Sequence, residues 1–410
     1  MEVARAITPH LAPTLPPVTI LEGPRMSGKT FIARKLVELG EWERYETLAN
    51  SLTLELAKND LANWLDSLPQ TAIIDEAQLL ADLPLAVKDL VDRPSSPRRF
   101  LLTGSARLGR DSLGGSDPLT GRVRRWRLAP LTLAEICGNA AAMSHLVARL
   151  FDGSVAGDGE PTEVSAVVNR GGFPILALNP LSQAEADAWV RDTTLGLLTD
   201  SVLPNDSFDA GTALRVLDAA LRDTAGILNV TSIGQRIGVD PRTVDRYLDV
   251  CERRFLLYFL PNYATSPTRQ TRARSKVHPV DTAFATASLR RANPDLAATS
   301  TTLGHLFESW VVNQIVPCLQ FADTGVHAYY WRRAKDDAEV DLLLVDDAGR
   351  RVGIEVKASS QVSLKDAKGL RALDAAHPLA ASYLVYSGAK SIRLADRCWA
   401  IPASTLAKPE

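Results

Sequence analysis

Apolar residues come in short runs through the first third of the chain. Val18-Thr19-Ile20-Leu21, Ala72-Ile73-Ile74 and Phe100-Leu101-Leu102 each read as a buried strand, with apolar residues at helical intervals between them. Phe31, Ala33, Leu36 and Val37 predict a helix that follows a Gly-rich turn and stops at Gly40 as its C-cap. Strands alternating with helices predict a parallel sheet covered on both faces. From Leu131 to about Arg222 the pattern is mainly helical, with breaks at residues 153–159 and at Gly171-Gly172-Phe173-Pro174. A compact helical unit follows from about Thr224 to Pro261, and from Leu303 a helix leads into alternating strands. These shifts divide the chain at residues 1–130, 131–222, 223–300 and 301–410, an α/β protein with a helical middle.

Composition mostly excludes. The 410 residues are 46% hydrophobic and 23% charged, an ordinary balance for a globular chain of roughly two or three domains. A net charge of −2 gives no overall attraction to nucleic acid or acidic membranes, so any basic surface is local. Cys137, Cys251, Cys318 and Cys398 are scattered, without a CxxC pair or metal-ligand spacing, and read as buried thiols in a reducing compartment. The N-terminus lacks the basic flank and apolar stretch of a secretory signal, and no apolar run approaches the roughly 18 residues of a membrane-spanning helix. The expectation is a soluble, cytoplasmic protein.

The Gly-rich turn is the most informative segment. Gly23-Pro24-Arg25-Met26-Ser27-Gly28-Lys29-Thr30 satisfies GxxxxGK[ST] in full, between a strand and a helix. Its glycines let backbone N–H groups curl around phosphate oxygens, the helix N-terminus adds positive potential, and Lys29 reaches the β and γ phosphates. Thr30 offers a hydroxyl to magnesium. The second strand ends in Asp75-Glu76, the Walker B arrangement, in which Asp75 serves the metal and Glu76 polarises the attacking water. Taken alone, the two acids would also suit a helix N-cap. ATP and Mg2+ are therefore the expected cofactors.

The third strand runs into Thr103-Gly104-Ser105, where Ser105 is a candidate sensor of the water or the γ-phosphate and an ordinary turn is the alternative. Between Arg98 and Arg127 eight arginines stand against two acids, and Arg122 is the candidate arginine finger among them. Further on, residues 230–239 read as a short helix and a turn, after which Asp240 caps a second helix that starts at Pro241. Helix, tight turn and helix form a helix-turn-helix, with Arg242, Thr243 and Arg246 on the exposed face of the second helix as candidate DNA contacts. Ten basic residues against five acids between Arg222 and Lys276, with Arg269, Arg272, Arg274 and Lys276 in an expected loop, would suit DNA phosphates. A packing or protein-contact module with a solvated loop is the alternative.

These motifs, with others downstream, carry a family resemblance. GPRxxGKT, IIDEAQ (73–78), LLTGS (101–105), LTGR (119–122), GGFP (171–174), GHLFE (304–308), AEVD (338–341) and IEVK (354–357) occur in that order. The chain resembles bacterial and archaeal AAA-type P-loop ATPases that end in a domain of unknown function, and the resemblance spans nearly all of it. It implies an ATPase core at 1–130 with the catalytic Glu beside the metal-binding Asp. It also implies a winged-helix-like segment, falling at 223–300, and a fold similar to restriction endonucleases, falling at 301–410. Met26 departs from the small or polar residues common at its position, although its backbone N–H can still serve.

The last segment holds residues that suit such a fold. Glu308 lies in an apolar helix, Asp341 opens an apolar strand, and Glu355 and Lys357 alternate onto one side of the next strand. Together they match the PD-(D/E)xK nuclease pattern in order. Asp341 and Glu355 would bind magnesium, Lys357 would stabilise or activate a hydroxide, and Glu308 would ligate or orient. Gln361 either touches the scissile phosphate or is surface. The leading expectation is an ATP-driven switch whose C-terminal region meets DNA. The alternatives are an ATP-regulated, Mg-dependent nuclease and a non-cutting scaffold. Expected partners are thus ATP and ADP with DNA or a protein, and no membrane.

Overall fold

The computed structural model describes residues 2–93, 97–105, 108, 117–199, 209–263, 275–333, 335 and 338–409. The chain divides into two compact units. One comprises Ala4–Ala129 with Arg253–Phe255, and the other comprises Pro130–Glu252 and the chain from Leu256 onward.

The first unit is built on five strands, β1 (Val18–Glu22), β2 (Arg44–Thr47), β3 (Thr71–Asp75), β4 (Arg99–Gly104) and β5 (Val123–Arg127). They lie in the order β2-β3-β4-β1-β5, and every pairing is parallel. The three apolar runs of the sequence are the three inner strands. Val18, Ile20, Ile74, Phe100 and Leu102 lie in one core with Leu83 and Val87 of helix Leu83–Val91. Burying each such side chain contributes roughly 1.5–3 kcal/mol. The two outer strands escape the sequence pattern because they are half-exposed and carry charged residues, as in Arg44-Tyr45-Glu46-Thr47.

The second unit begins with helices, and here the GGFP segment finds its role. Asp281 Oδ2 accepts hydrogen bonds from the backbone N–H groups of Gly172 (2.7 Å) and Phe173 (2.8 Å), and Oδ1 from that of Ala283 (2.9 Å). Burial pushes the Asp281 carboxyl up, and these three donors oppose that rise. Gly171 has φ +64°, and a Cβ there would lie 2.0 Å from Asp281 Oδ1. The segment is a backbone clamp around a buried carboxylate.

Helices Val230–Ile237 and Pro241–Arg253 follow, joined through Gly238 at φ +73°. Asp240 Oδ1 accepts from Arg242 N at 2.8 Å, the expected cap. An antiparallel pair, β6 (Leu257–Leu260) and β7 (Lys276–Pro279), comes next. The sequence pattern puts Lys276 in a solvated loop; instead it opens β7 and is 2% exposed. Its neighbours in that expectation, Arg269, Arg272 and Arg274, lie outside the described residues, as do Arg107 and Arg110.

The chain ends in a six-stranded mixed sheet of β8 (Val326–Arg333), β9 (Ala338–Asp346), β10 (Arg351–Lys357), β11 (Ala381–Tyr386), β12 (Ile392–Ala395) and β13 (Cys398–Pro402). Its order is β12-β13-β11-β10-β9-β8, with β10, β11 and β13 mutually parallel. Cys251, Cys318 and Cys398 are buried as expected, whereas Cys137 is exposed, at the end of helix Leu133–Ile136. Among the described residues no helix is long and apolar enough to cross a membrane.

Removing the Asp281 carboxylate strands three buried donors, each costing roughly 1–3 kcal/mol. Asp281→Ala should therefore destabilise the second unit by on the order of 3 kcal/mol in urea unfolding. An unchanged midpoint would show that the clamp contributes nothing.

Candidate functional site

The loop after β1 is shaped by what surrounds it. At Gly23 a Cβ would lie 2.3 Å from the Leu128 carbonyl oxygen, so a larger residue does not fit there. Ser27 Oγ donates to Pro24 O at 2.8 Å, Met26 and Gly28 take φ of 67° and 103°, and helix Lys29–Glu38 starts at once. Arg25 and Met26 are exposed, so their side chains leave the loop backbone clear. From the N-terminal arm, Arg5 donates to Ser27 O (2.8 Å) and to Ala129 O (2.6 Å), holding the loop from behind.

Lys29 is buried and donates to the carbonyls of Gly23 (2.9 Å) and Pro24 (2.8 Å). Burial pushes its ammonium down to about 8, against the pull of Glu76 and Asp75. Phosphate oxygens, being charged, are better acceptors for it than neutral carbonyls.

Asp75 closes the site from the end of β3. Its Oδ2 accepts from Thr30 Oγ1 (2.8 Å) and from the Tyr45 hydroxyl (2.7 Å), and its Oδ1 accepts from Thr103 Oγ1. Burial and the bond to Asp75 raise the Tyr45 phenol above its usual range. The next residue, Glu76, takes the left-handed conformation at φ 56°, a backbone state that costs a non-glycine residue roughly 1–3 kcal/mol and tends to occur at functional sites. Gln78 Nε2 donates to Glu76 Oε2 and to Ser105 Oγ (3.1 Å), so one amide joins the ends of β3 and β4.

The structure thus brings Gly23–Thr30, Asp75 and Glu76 together, with Ser105 reached through Gln78. Arg122 stands apart: its guanidinium is paired with Asp92, just beyond helix Leu83–Val91, and with Thr120 O. Sequence reasoning misses Tyr45 and Thr103. Thr103 is within the polar strand end noted in the sequence, but nothing there says that it, rather than Ser105, meets Asp75. Tyr45 carries no sequence signal.

A second cluster lies in the C-terminal sheet. Glu308 from helix Ser300–Ile315, Asp341 from β9 and Glu355 and Lys357 from β10 converge as the sequence order suggests. Lys276 is among them, its Nζ 2.7 Å from Glu308, 2.5 Å from Glu339 and 3.0 Å from Asp341. Asp341 Oδ2 also accepts from Val356 N at 2.9 Å, and Lys357 Nζ donates to Glu355 Oε1 at 2.6 Å. Burial and the Asp341 charge push Glu308 well up and Glu355 to about 8. Burial works against the ionised Asp341, yet Lys276 and Lys357 hold its carboxyl below the usual range. On helix Pro241–Arg253, Arg242 and Arg246 are exposed and Thr243 is half-buried; Asp245 is exposed between them.

Residues 15–137 match the model of an AAA domain, and the parallel sheet with its phosphate loop agrees with it. The first unit has the fold of a P-loop NTPase domain and is similar to AAA domains, a similarity that supports ATP binding. Residues 162–295 match a domain of unknown function (DUF8612), and residues 303–406 another (DUF4143). Along the chain, a segment similar to AAA domains is thus followed by segments similar to these two domains of unknown function. Uncharacterized proteins of Mycobacterium tuberculosis and Mycobacterium bovis are each 28% identical over 393 residues, covering 95% of this chain and 81% of theirs. Among solved structures, the Thermotoga maritima RuvB Holliday junction branch migration motor is 18% identical, covering 63% of this chain and 83% of its own, with a TM-score of 0.28. The Aeropyrum pernix ORC1 protein in complex with DNA is 13% identical, covering 70% and 91%, with a TM-score of 0.29.

Phosphate binding favours the charged form of Lys29, whose free-state value is about 8. ATP affinity should therefore be level below pH 8 and fall above it, by up to about tenfold per pH unit. A fluorescent ATP analogue titrated from pH 7 to 10 checks this, and a flat profile would place the lysine value elsewhere.

Proposed function

We propose that the first unit hydrolyses ATP and that its nucleotide state governs how the second unit meets DNA. Hydrolysis rests on one observation above all: Glu76 directly follows a carboxylate, Asp75, that is bonded to the P-loop Thr30. In this reading Lys29 and the loop N–H groups of residues 23–30 hold the phosphates. Glu76 takes up the proton as the water oxygen bonds to the γ-phosphorus and the bond to ADP breaks. Gln78 keeps the Glu76 carboxylate aimed, and Ser105 is tied to the same amide. Thr30 and Asp75 present a hydroxyl and a carboxylate side by side, hard oxygen donors that suit magnesium. Magnesium, when bound, neutralises charge on the β and γ phosphates. Arg122 enters as a finger only when released from Asp92.

DNA contact is supported by the helix-turn-helix, whose second helix exposes Arg242 and Arg246 and is followed by the β6–β7 ribbon, as in a winged helix. Thr243 would add a hydroxyl to the same face.

Glu76→Gln should lower phosphate release by about 10²–10⁴-fold while leaving ATP binding intact. A folded, ATP-binding wild type that releases no phosphate, with or without DNA, would sink this reading. For the second unit, anisotropy with a duplex across salt concentrations should give a log–log slope that drops by about two units in Arg242→Ala/Arg246→Ala. An unchanged slope would remove this helix from the interface.

A further inference from the structure

We infer that Lys276 is a built-in replacement for a divalent cation, so that the carboxylate centre of the C-terminal sheet is metal-free and does not cleave phosphodiesters. The inference is independent of the ATPase reading, since no residue of the first unit enters it.

A nuclease centre of the pattern found in the sequence needs a cation held by Asp341 and Glu355, with Glu308 assisting. The residues present do not fit that cation. The ammonium of Lys276 already lies within 3.0 Å of oxygens of Glu308, Glu339 and Asp341. An ammonium has three protons, and here three carboxylates surround it. Magnesium demands oxygens at about 2.0–2.1 Å in a near-octahedral shell, so it and the Lys276 nitrogen cannot occupy the same space. Two further oxygens of the set are also engaged. Asp341 Oδ2 holds the Val356 N–H, and Glu355 Oε1 holds Lys357. Lys357, the residue that would serve a hydroxide, is thereby bound to the carboxylate beside it. Glu355 Oε2 is buried without a hydrogen-bond partner among the described residues, and with Glu308 Oε2, whose sister oxygen holds Lys276, it leaves too few oxygens for a near-octahedral shell.

Lys276 cannot easily leave. It is 2% exposed, comes from β7 rather than from a surface loop, and lies 5.7 Å from the centre of the Tyr330 ring. Withdrawing it would leave several carboxylates facing one another out of water. The lysine therefore neutralises the centre and ties β7 to the C-terminal sheet.

The test is Mn2+ binding to the nucleotide-free full chain, followed by electron paramagnetic resonance. The wild type is expected to show no bound Mn2+ that Asp341→Asn removes. Lys276→Met keeps the length of the stem without the charge; it is expected to gain a bound Mn2+ signal that is lost again when Asp341→Asn is added. Should Lys276→Met fail to fold, Lys276→Met/Glu339→Gln removes one carboxylate with the cation and carries the same expectation. Mn2+ bound by the wild type and released by Asp341→Asn would overturn the inference, as would a folded Lys276 variant that gains none. Nicking of supercoiled plasmid by the wild type in Mg2+, abolished in Lys357→Ala, would overturn it too.

Discussion

Three groups that carry charge in water, Asp75, Lys276 and Asp281, lie almost wholly inside this protein. Removing an ion from water costs several kcal/mol even after relaxation, so each persists only where partners are already in place. For Asp75 those partners are hydroxyls from three other elements: Thr30 at the start of the first helix, Tyr45 on β2 and Thr103 on β4. The parallel register sets this up. Thr47 pairs with Asp75, and Ile74 with Leu102, which puts Thr103 alongside the carboxylate. A slip of one residue in β3 would turn Asp75 to the opposite face and undo all three bonds. The position of the phosphate loop relative to Glu76 follows from satisfying one buried carboxylate.

That dependence also separates what can be read in the sequence from what cannot. The phosphate loop is legible because its requirements are local. It needs glycine at position 23, where any Cβ would come within 2.3 Å of Leu128 O, a positive φ at Gly28 and a lysine at the helix start. The inner strands are legible because strands buried on both faces read as continuous apolar runs. Tyr45 is not, since its role arises only when β2 lies beside β3, and its strand is polar and half-exposed. Asp281 and the GGFP segment are more than a hundred residues apart, and a glycine that must admit a carboxylate looks in sequence like a glycine that makes a turn.

Lys276 is the sharpest case. It follows a run of arginines, and proximity in sequence places it with them on a solvated surface. The fold draws Lys276 into β7 and into a cluster of acids that come from 32 to 65 residues further along. Pattern matching finds Glu308, Asp341, Glu355 and Lys357 in the right order, but order says nothing of a fifth residue that enters from outside the pattern.

Asp75 and the C-terminal carboxylates differ in the groups that satisfy them, and that difference bears on what each can hold. Asp75 is met by neutral hydroxyls. A threonine hydroxyl has lone pairs as well as a proton, so Thr30 can turn from donating to Asp75 to ligating a cation without any charge moving. In the proposed ATPase reading, that turn would let Thr30 serve a cation beside the phosphates while Asp75 keeps its charge. The C-terminal carboxylates are met by an ammonium, which has no lone pair and cannot become a ligand. It must either stay or withdraw with its full charge, leaving Glu308, Glu339 and Asp341 to repel one another in a medium that screens them poorly. A carboxylate held by hydroxyls keeps its charge and can open to a cation, whereas a cluster neutralised by its own lysine is closed to it.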